Sequence, residues 1–213
     1  MINSNSNKVN ISRLSVSFFY YCDKGGGTII SIKITNSQQS FINALLYLMS
    51  KKPYSEITIF ELSHFADYNR RTYYRYFNSV DDILSLHCAF ILQEMAQMIH
   101  DIGCLTPYSG FLSYFKFWDK HSDFLVLLEK HHLLDFLNKE QNKLIYKSVG
   151  LSVDHRLPDQ LNETSIFSQY SYYFCLGGLW SMISFWVKSG MEQSPEQMTK
   201  YVLDIFVQME HHI

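Results

Sequence analysis

The chain has 213 residues, 47% of them apolar, a formal net charge of −2 and a pI near 6.5. That length can bury one good core or two small ones, and the acidic balance excludes a protein that coats nucleic acid through cations spread over its whole surface. Four cysteines, Cys22, Cys88, Cys104 and Cys175, lack zinc or disulfide spacing, so no metal or cofactor is expected and a reducing cytoplasm fits best.

Residues 1–34 are Asn/Ser-rich, then aromatic, then broken by Gly25-Gly26-Gly27, and read as a poorly ordered arm. The stretch "VSFFYYC" imitates the apolar core of a secretory signal, but no small-residue cleavage site follows it. From about Ser37 a helical period begins, with Phe41, Leu45, Leu48 and Met49 on one face of a first helix that stops before Pro53. Thr58 and Glu61 form a capping box for a short second helix ending near Phe65. Asp67 tolerates a turn conformation, and Asn69 is a good N-cap for a third helix from Arg70. Ser79 and Asp82 cap a fourth, whose apolar stripe Leu84, His87, Ile91, Met95 and Met98 runs to Gly103.

Beyond Gly103 the basic clusters vanish and apolar-aromatic helices follow. Starts are expected at Thr106-Pro107 and Ser122, a further helix over 133–149, a loop over 150–162, a long helix from about Glu163 to Lys188, and a last one capped by Ser194 with Pro195 and Gln197. The run "YYFCLGGLWSMISFWV" at 172–187 falls short of the roughly 20 residues of a membrane span, so no membrane partner is expected. No strand pattern emerges, which makes the fold all-α. The predicted domains are an arm over 1–34, a three-helix head with its connecting helix over 35–100, and a larger helical domain over 101–213.

Two short helices joined by a tight turn, the second reading "NRRTYYRYF", form a helix-turn-helix pattern. On a helical wheel of about 100° per residue, Tyr73 and Phe77 share a face, while Arg71, Thr72, Arg75 and Tyr76 point away from it and Tyr74 lies at the boundary. Residues 50–79 carry a net +2, leaving −4 for the remainder, the footprint of a local DNA-binding head on an acidic body. The plainer alternative is an amphipathic helix with a solvated basic face.

The segment "ITIFELSHFADYNRRTYYRYFNSVDDIL" resembles the DNA-binding head of the TetR family of bacterial transcriptional regulators. The family pattern runs roughly T-x-x-x-I-A-x-x-A-G-V-S-x-x-T-L-Y-x-Y-F-x-S-K, and Thr58, Leu62, Ser63, Ala66, Asn69, Thr72, Tyr74, Tyr76, Phe77 and Ser79 fall at matching positions. The resemblance implies that Tyr73 and Phe77 are core and that Arg70, Arg71, Thr72, Tyr74, Arg75 and Tyr76 face DNA, with Thr58 and Asn69 at the same interface. Asp67 replaces the turn glycine, and Val80 replaces a lysine that would contact phosphate. A more loosely similar C-terminal half implies an effector and dimerisation domain. The resemblance also implies a start near the first helix, which makes a misassigned start codon an expectation for residues 1–34.

The implied function is a sequence-specific, cytoplasmic DNA-binding regulator, a homodimeric repressor that leaves a palindromic operator when a small molecule binds. The alternative is an interaction protein of the same fold that acts through a protein partner. An enzyme is not expected, because nucleophile-elbow, phosphate-loop and paired-carboxylate motifs are missing from the sequence. The dimer interface is expected at Leu176, Gly177, Gly178, Leu179, Trp180, Ile183 and Val187, with Trp186 as a further anchor. The glycines would allow another helix close, either from a partner or within the subunit. The aromatic residues Phe111, Tyr114, Phe115, Phe117, Trp118 and Phe124, with Tyr170, Tyr172, Tyr173 and Phe174, either line an inducer pocket or form core. No single ligand contact is identified. The pairs His131-His132 and His211-His212 diverge on a helix and make no chelate, and His87 reads as a hydrogen-bonded core residue.

Overall fold

The computed structural model describes residues 32–102, 106–148 and 163–211, and among them the chain is helical with no strand. The helices are α1 (Asn36–Lys51), α2 (Ile59–Phe65), α3 (Arg70–Tyr76), α4 (Val80–Ile102), α5 (Pro107–Lys120), α6 (Ser122–Lys130), α7 (Leu134–Ser148), α8 (Glu163–Lys188) and α9 (Pro195–His211). A short 3₁₀ turn, Tyr54–Glu56, joins α1 to α2.

Capping chemistry sets most of the helix starts. Thr58 and Glu61 bond reciprocally at the start of α2, and Ser79 and Asp82 do so before α4. Thr106 accepts from Ser109 N–H at α5, and Ser194 pairs with Gln197 at α9. A further box, Thr35 with Gln38, starts α1 and was not expected from the sequence. Each box satisfies backbone donors that a helix start leaves free, worth about 1 kcal/mol per cap.

The arm expected over 1–34 lies outside the described residues except for 32–34. Two of these three are tied down: Ile32 N–H donates to Gln93 Oε1 on α4, and Ile34 packs against the core. The expected loop over 150–162 also lies outside the described residues.

In the head, α1 packs against α2, α3 and α4. Its centre is the ring of Phe41, whose centroid lies 5.6 Å from Tyr73 and 5.8 Å from both Phe77 and Tyr68. Fully burying an aromatic or branched aliphatic side chain contributes about 1.5–3 kcal/mol. This cluster therefore fixes which face of α3 turns inward. One apolar cluster continues from Phe41 to Val202, because α4 packs on α1 at one end and on α5 and α7 along its length. Farther on, α5 packs on α9 and α6 on α8.

Candidate nucleic-acid interface

The turn between α2 and α3 closes through Ala66 N–H donating to Leu62 O at 2.9 Å and Tyr68 N–H donating to Ser63 O at 3.0 Å. This geometry requires a left-handed residue, and Asp67 supplies it at φ 58°. Asn69 Oδ1 then accepts from Thr72 N–H at 2.8 Å and starts α3. With Tyr73 and Phe77 buried, Arg70, Arg71, Tyr74 and Arg75 stand exposed on the opposite side.

The side chains expected at this interface divide into two groups. Arg71 has no partner among the described residues, and Arg70 lies over the exposed ring of Phe60 at 5.4 Å. Arg75 stacks on Tyr76 at 4.7 Å and donates from Nη2 to its hydroxyl at 3.0 Å. These are presented cations. Thr58, Asn69 and Thr72 are held by structure instead: Thr58 donates to Glu61 Oε2 at 2.7 Å, and the Thr72 hydroxyl donates to Asn69 Oδ1 at 3.1 Å. Tyr76 is half-buried, and hydrogen bonds with Thr35, Arg75 and Ser37 hold its hydroxyl below the usual tyrosine range. It ties α3 to the start of α1.

Among the lysines and arginines of the head, Lys52 is already matched. Lys52 Nζ reaches both oxygens of Glu61 at 2.8 Å, and that contact, with the Thr58 bonds, holds the Glu61 carboxyl at about 2. Val80, where the family pattern has lysine, is half-buried against the core. The usable cations are therefore Arg70, Arg71, Arg75 and the exposed Lys51.

A joint between head and body was not legible in the sequence. At the end of α6, His131 Nδ1 accepts from Tyr54 N–H at 3.3 Å and Nε2 lies 2.8 Å from Met49 O. Because Nδ1 accepts, the Nε2 proton must be the donor to Met49. Lys130 Nζ adds a bond to Ser50 O at 3.1 Å. Two carbonyls at the end of α1 and one amide in the turn after it are thus held by consecutive side chains of the body.

In the body, the first group of aromatic residues, read from the sequence as either pocket or core, is packed core. Phe111, Tyr114, Phe115, Phe117, Trp118 and Phe124 are all buried, with Phe115 edge-on to Trp186 at 6.0 Å and Trp118 to Trp180 at 6.4 Å. Tyr170 and Phe174 are exposed instead, and the Tyr172 side chain lies outside the described residues. His87 also differs from expectation. It packs edge-on against Phe124 at 4.7 Å with no hydrogen bond among the described residues. Burial first, then His121, pushes its pKa down to about 4.

The expected dimer stripe divides: Leu176, Leu179, Trp180, Ile183 and Val187, with Trp186, are buried inside the subunit, whereas Gly177 and Gly178 are exposed. The helix is apolar on all sides, so hydrophobic period alone could not pick its outer face. Gly177 and Gly178 are exposed, and a Cβ added at either would meet nothing within 4 Å, so neither serves a crossing within the subunit. Tyr170, Phe174, Gly177, Ser181 and Phe185 share that outer face, and Phe185 is 73% exposed. On α9, Tyr201 and Ile205 are exposed one turn apart.

Among the described residues no helix is long and apolar enough to cross a membrane, and no three His, Cys, Asp or Glu side chains gather to hold a metal ion. Cys88 and Cys175 are buried free thiols.

Residues 106–208, from the cap of α5 into α9, match a family model described as "Transcriptional regulator C-terminal region". Among solved structures the chain is similar to "Dihydroxyacetone kinase operon activator DhaS", with a TM-score of 0.47 and 15% sequence identity over 83% of this chain and 97% of that one. No curated protein matches.

Proposed function

We propose that this chain, a transcriptional regulator of the TetR family, binds a palindromic operator as a homodimer and is a repressor released by a small molecule. The observation that carries the DNA-binding part is the division of α3. Tyr73 and Phe77 anchor it on Phe41, while Arg70, Arg71 and Arg75 remain outside on a head whose other contacts are internal. In a major groove, arginine forks pair bidentately with guanine, and the exposed Tyr74 can reach phosphate oxygen.

The dimer face in this reading is the outer side of α8 around Phe174, Gly177 and Phe185, together with Tyr201 and Ile205 of α9. Glycine costs a helix about 1 kcal/mol relative to alanine, and close approach of a partner helix would offset that. A two-fold dimer then sets two recognition helices about one helical turn of DNA apart. The regulator works where its DNA is, in the cytoplasm.

Fluorescence anisotropy against the upstream intergenic DNA and a scrambled duplex, at two salt concentrations, tests the reading. Preference for the upstream site, lost on Arg71→Ala/Arg75→Ala, supports it. Equal binding to both duplexes reduces α3 to a solvated basic helix. A Phe174→Asp/Phe185→Asp variant that sediments as a monomer supports the dimer face; an unchanged sedimentation coefficient removes it.

A second reading, action through a protein partner, is favoured by the exposed rings of Tyr47, Phe60 and Phe65 on α1 and α2. Absence of salt-dependent DNA binding would move the assignment there.

A further inference from the structure

Along the inner side of α7, Leu134 and Leu137 are buried, and the next position of that stripe is Gln141, only 4% exposed. A buried carboxamide where the pattern calls for an aliphatic residue is a liability unless its polar atoms are matched. Gln141 Oε1 is buried without a hydrogen-bond partner. It faces a cavity of about 200 Å³ between α7 and α8, lined by Asn138, Gln141 and Asn142 on one side and Tyr173, Leu176 and Gly177 on the other. Each trio has i, i+3, i+4 spacing and so forms one helical face.

The lining decides the chemistry. Three carboxamides offer donors and acceptors. Among the described residues no charged side chain lines the space. Of the charged residues beside these on α7, Glu140 and Lys143 are engaged with each other at 2.6 Å and Lys139 is exposed. An anion or cation would enter without a counter-charge, and a hydrocarbon would leave Gln141 Oε1 unmatched. The volume lies below the roughly 300–1,000 Å³ of pockets for drug-sized ligands.

We infer that this α7–α8 cavity is the effector site and that it takes a small uncharged molecule carrying hydroxyl donors, one of which bonds Gln141 Oε1. The assignment rests on the ligand-responsive part of the reading above.

The test uses the full chain and two probes of equal size, erythritol and succinate, followed by saturation-transfer NMR and titration calorimetry. Wild type is expected to bind erythritol saturably and succinate not at all. Gln141→Leu should weaken erythritol at least tenfold while raising the unliganded unfolding temperature by roughly 2–4 °C, because an unmatched buried acceptor is gone. If that variant does not fold, Asn142→Ala carries the binding comparison. Three outcomes overturn the inference: erythritol bound equally by wild type and variant, no saturable erythritol binding, which leaves a merely hydrated cavity, or a fall in unfolding temperature, which gives Gln141 an internal structural role. Operator binding on the same samples separates the two readings. DNA preference without erythritol binding sinks the effector site alone, and erythritol binding without DNA preference sinks the regulator alone.

Discussion

Replacing His131 with alanine removes an acceptor from Tyr54 N–H and a donor from Met49 O, both part-buried groups at the joint between head and body. A typical hydrogen bond contributes about 0.5–1.5 kcal/mol net, and a buried group left unmatched costs about 1–3. Water can reach part of this joint, so the expected loss is about 1–3 kcal/mol in total. For a chain of this size that corresponds to a fall in unfolding temperature of roughly 2–4 °C per kcal/mol. Two conservative variants divide the effect. Asn places an acceptor near Nδ1 and Gln places a donor near Nε2, so both should fall between wild type and alanine. The second readout is operator affinity at several salt concentrations. A joint that orients the head changes affinity without changing the slope of log affinity against log salt, because no phosphate contact is lost. Scanning calorimetry supplies the first readout and anisotropy the second. Unfolding of His131→Ala within 1 °C of wild type would refute the energetic reasoning, and a His131→Phe variant as stable as wild type would assign the joint to ring packing rather than to its two nitrogens.

His87 is held neutral by burial, its pKa pushed down to about 4 from 6.5. Between those values the unfolded chain binds the additional proton, so stability is complete above about 6.5 and declines as pH falls toward 4; chemical denaturation of His87→Phe should show a shallower decline across this window. The Tyr73 hydroxyl is buried without a partner, and its pKa is pushed up to about 12 by desolvation. Tyr73→Phe should therefore be neutral or stabilising by up to about 1 kcal/mol in urea denaturation, with DNA binding unchanged. Asp67→Gly relieves a left-handed residue and removes an acidic group beside α3; it should stabilise by up to about 1 kcal/mol and tighten DNA binding most at low salt, measured by denaturation and anisotropy.

The head was largely legible because its signals are local. Thr58 with Glu61, Asp67 and Asn69 each announce a helix start or a turn through their own backbone chemistry, and the structure places α2 and α3 accordingly. Tyr73 and Phe77, four apart, name the inner face without reference to anything distant. The same capping logic accounts for two hydroxyls at the interface: Thr58 spends its own on the start of α2, and the Thr72 hydroxyl donates to Asn69, the cap of α3.

The body resisted because period carries no information once a helix is apolar on every side. In α8, Leu176, Leu179, Ile183 and Val187 form as good a stripe as Tyr170, Phe174 and Phe185, and only packing against α6, with Trp180 on Trp118, decides that the first turns inward. The glycines then acquire the opposite meaning from an internal crossing, since both are exposed and a Cβ added at either would meet nothing within 4 Å. Gln141 is the converse case. A single polar residue in an apolar stripe reads from sequence as a break in the pattern, and it becomes informative only when the helix opposite fails to supply a donor. Long-range joints such as His131 to Met49, 82 residues apart, follow from neither signal. They arise when two helix ends meet with unsatisfied backbone groups, so the place to search for them is where a helix terminus comes to rest against another element.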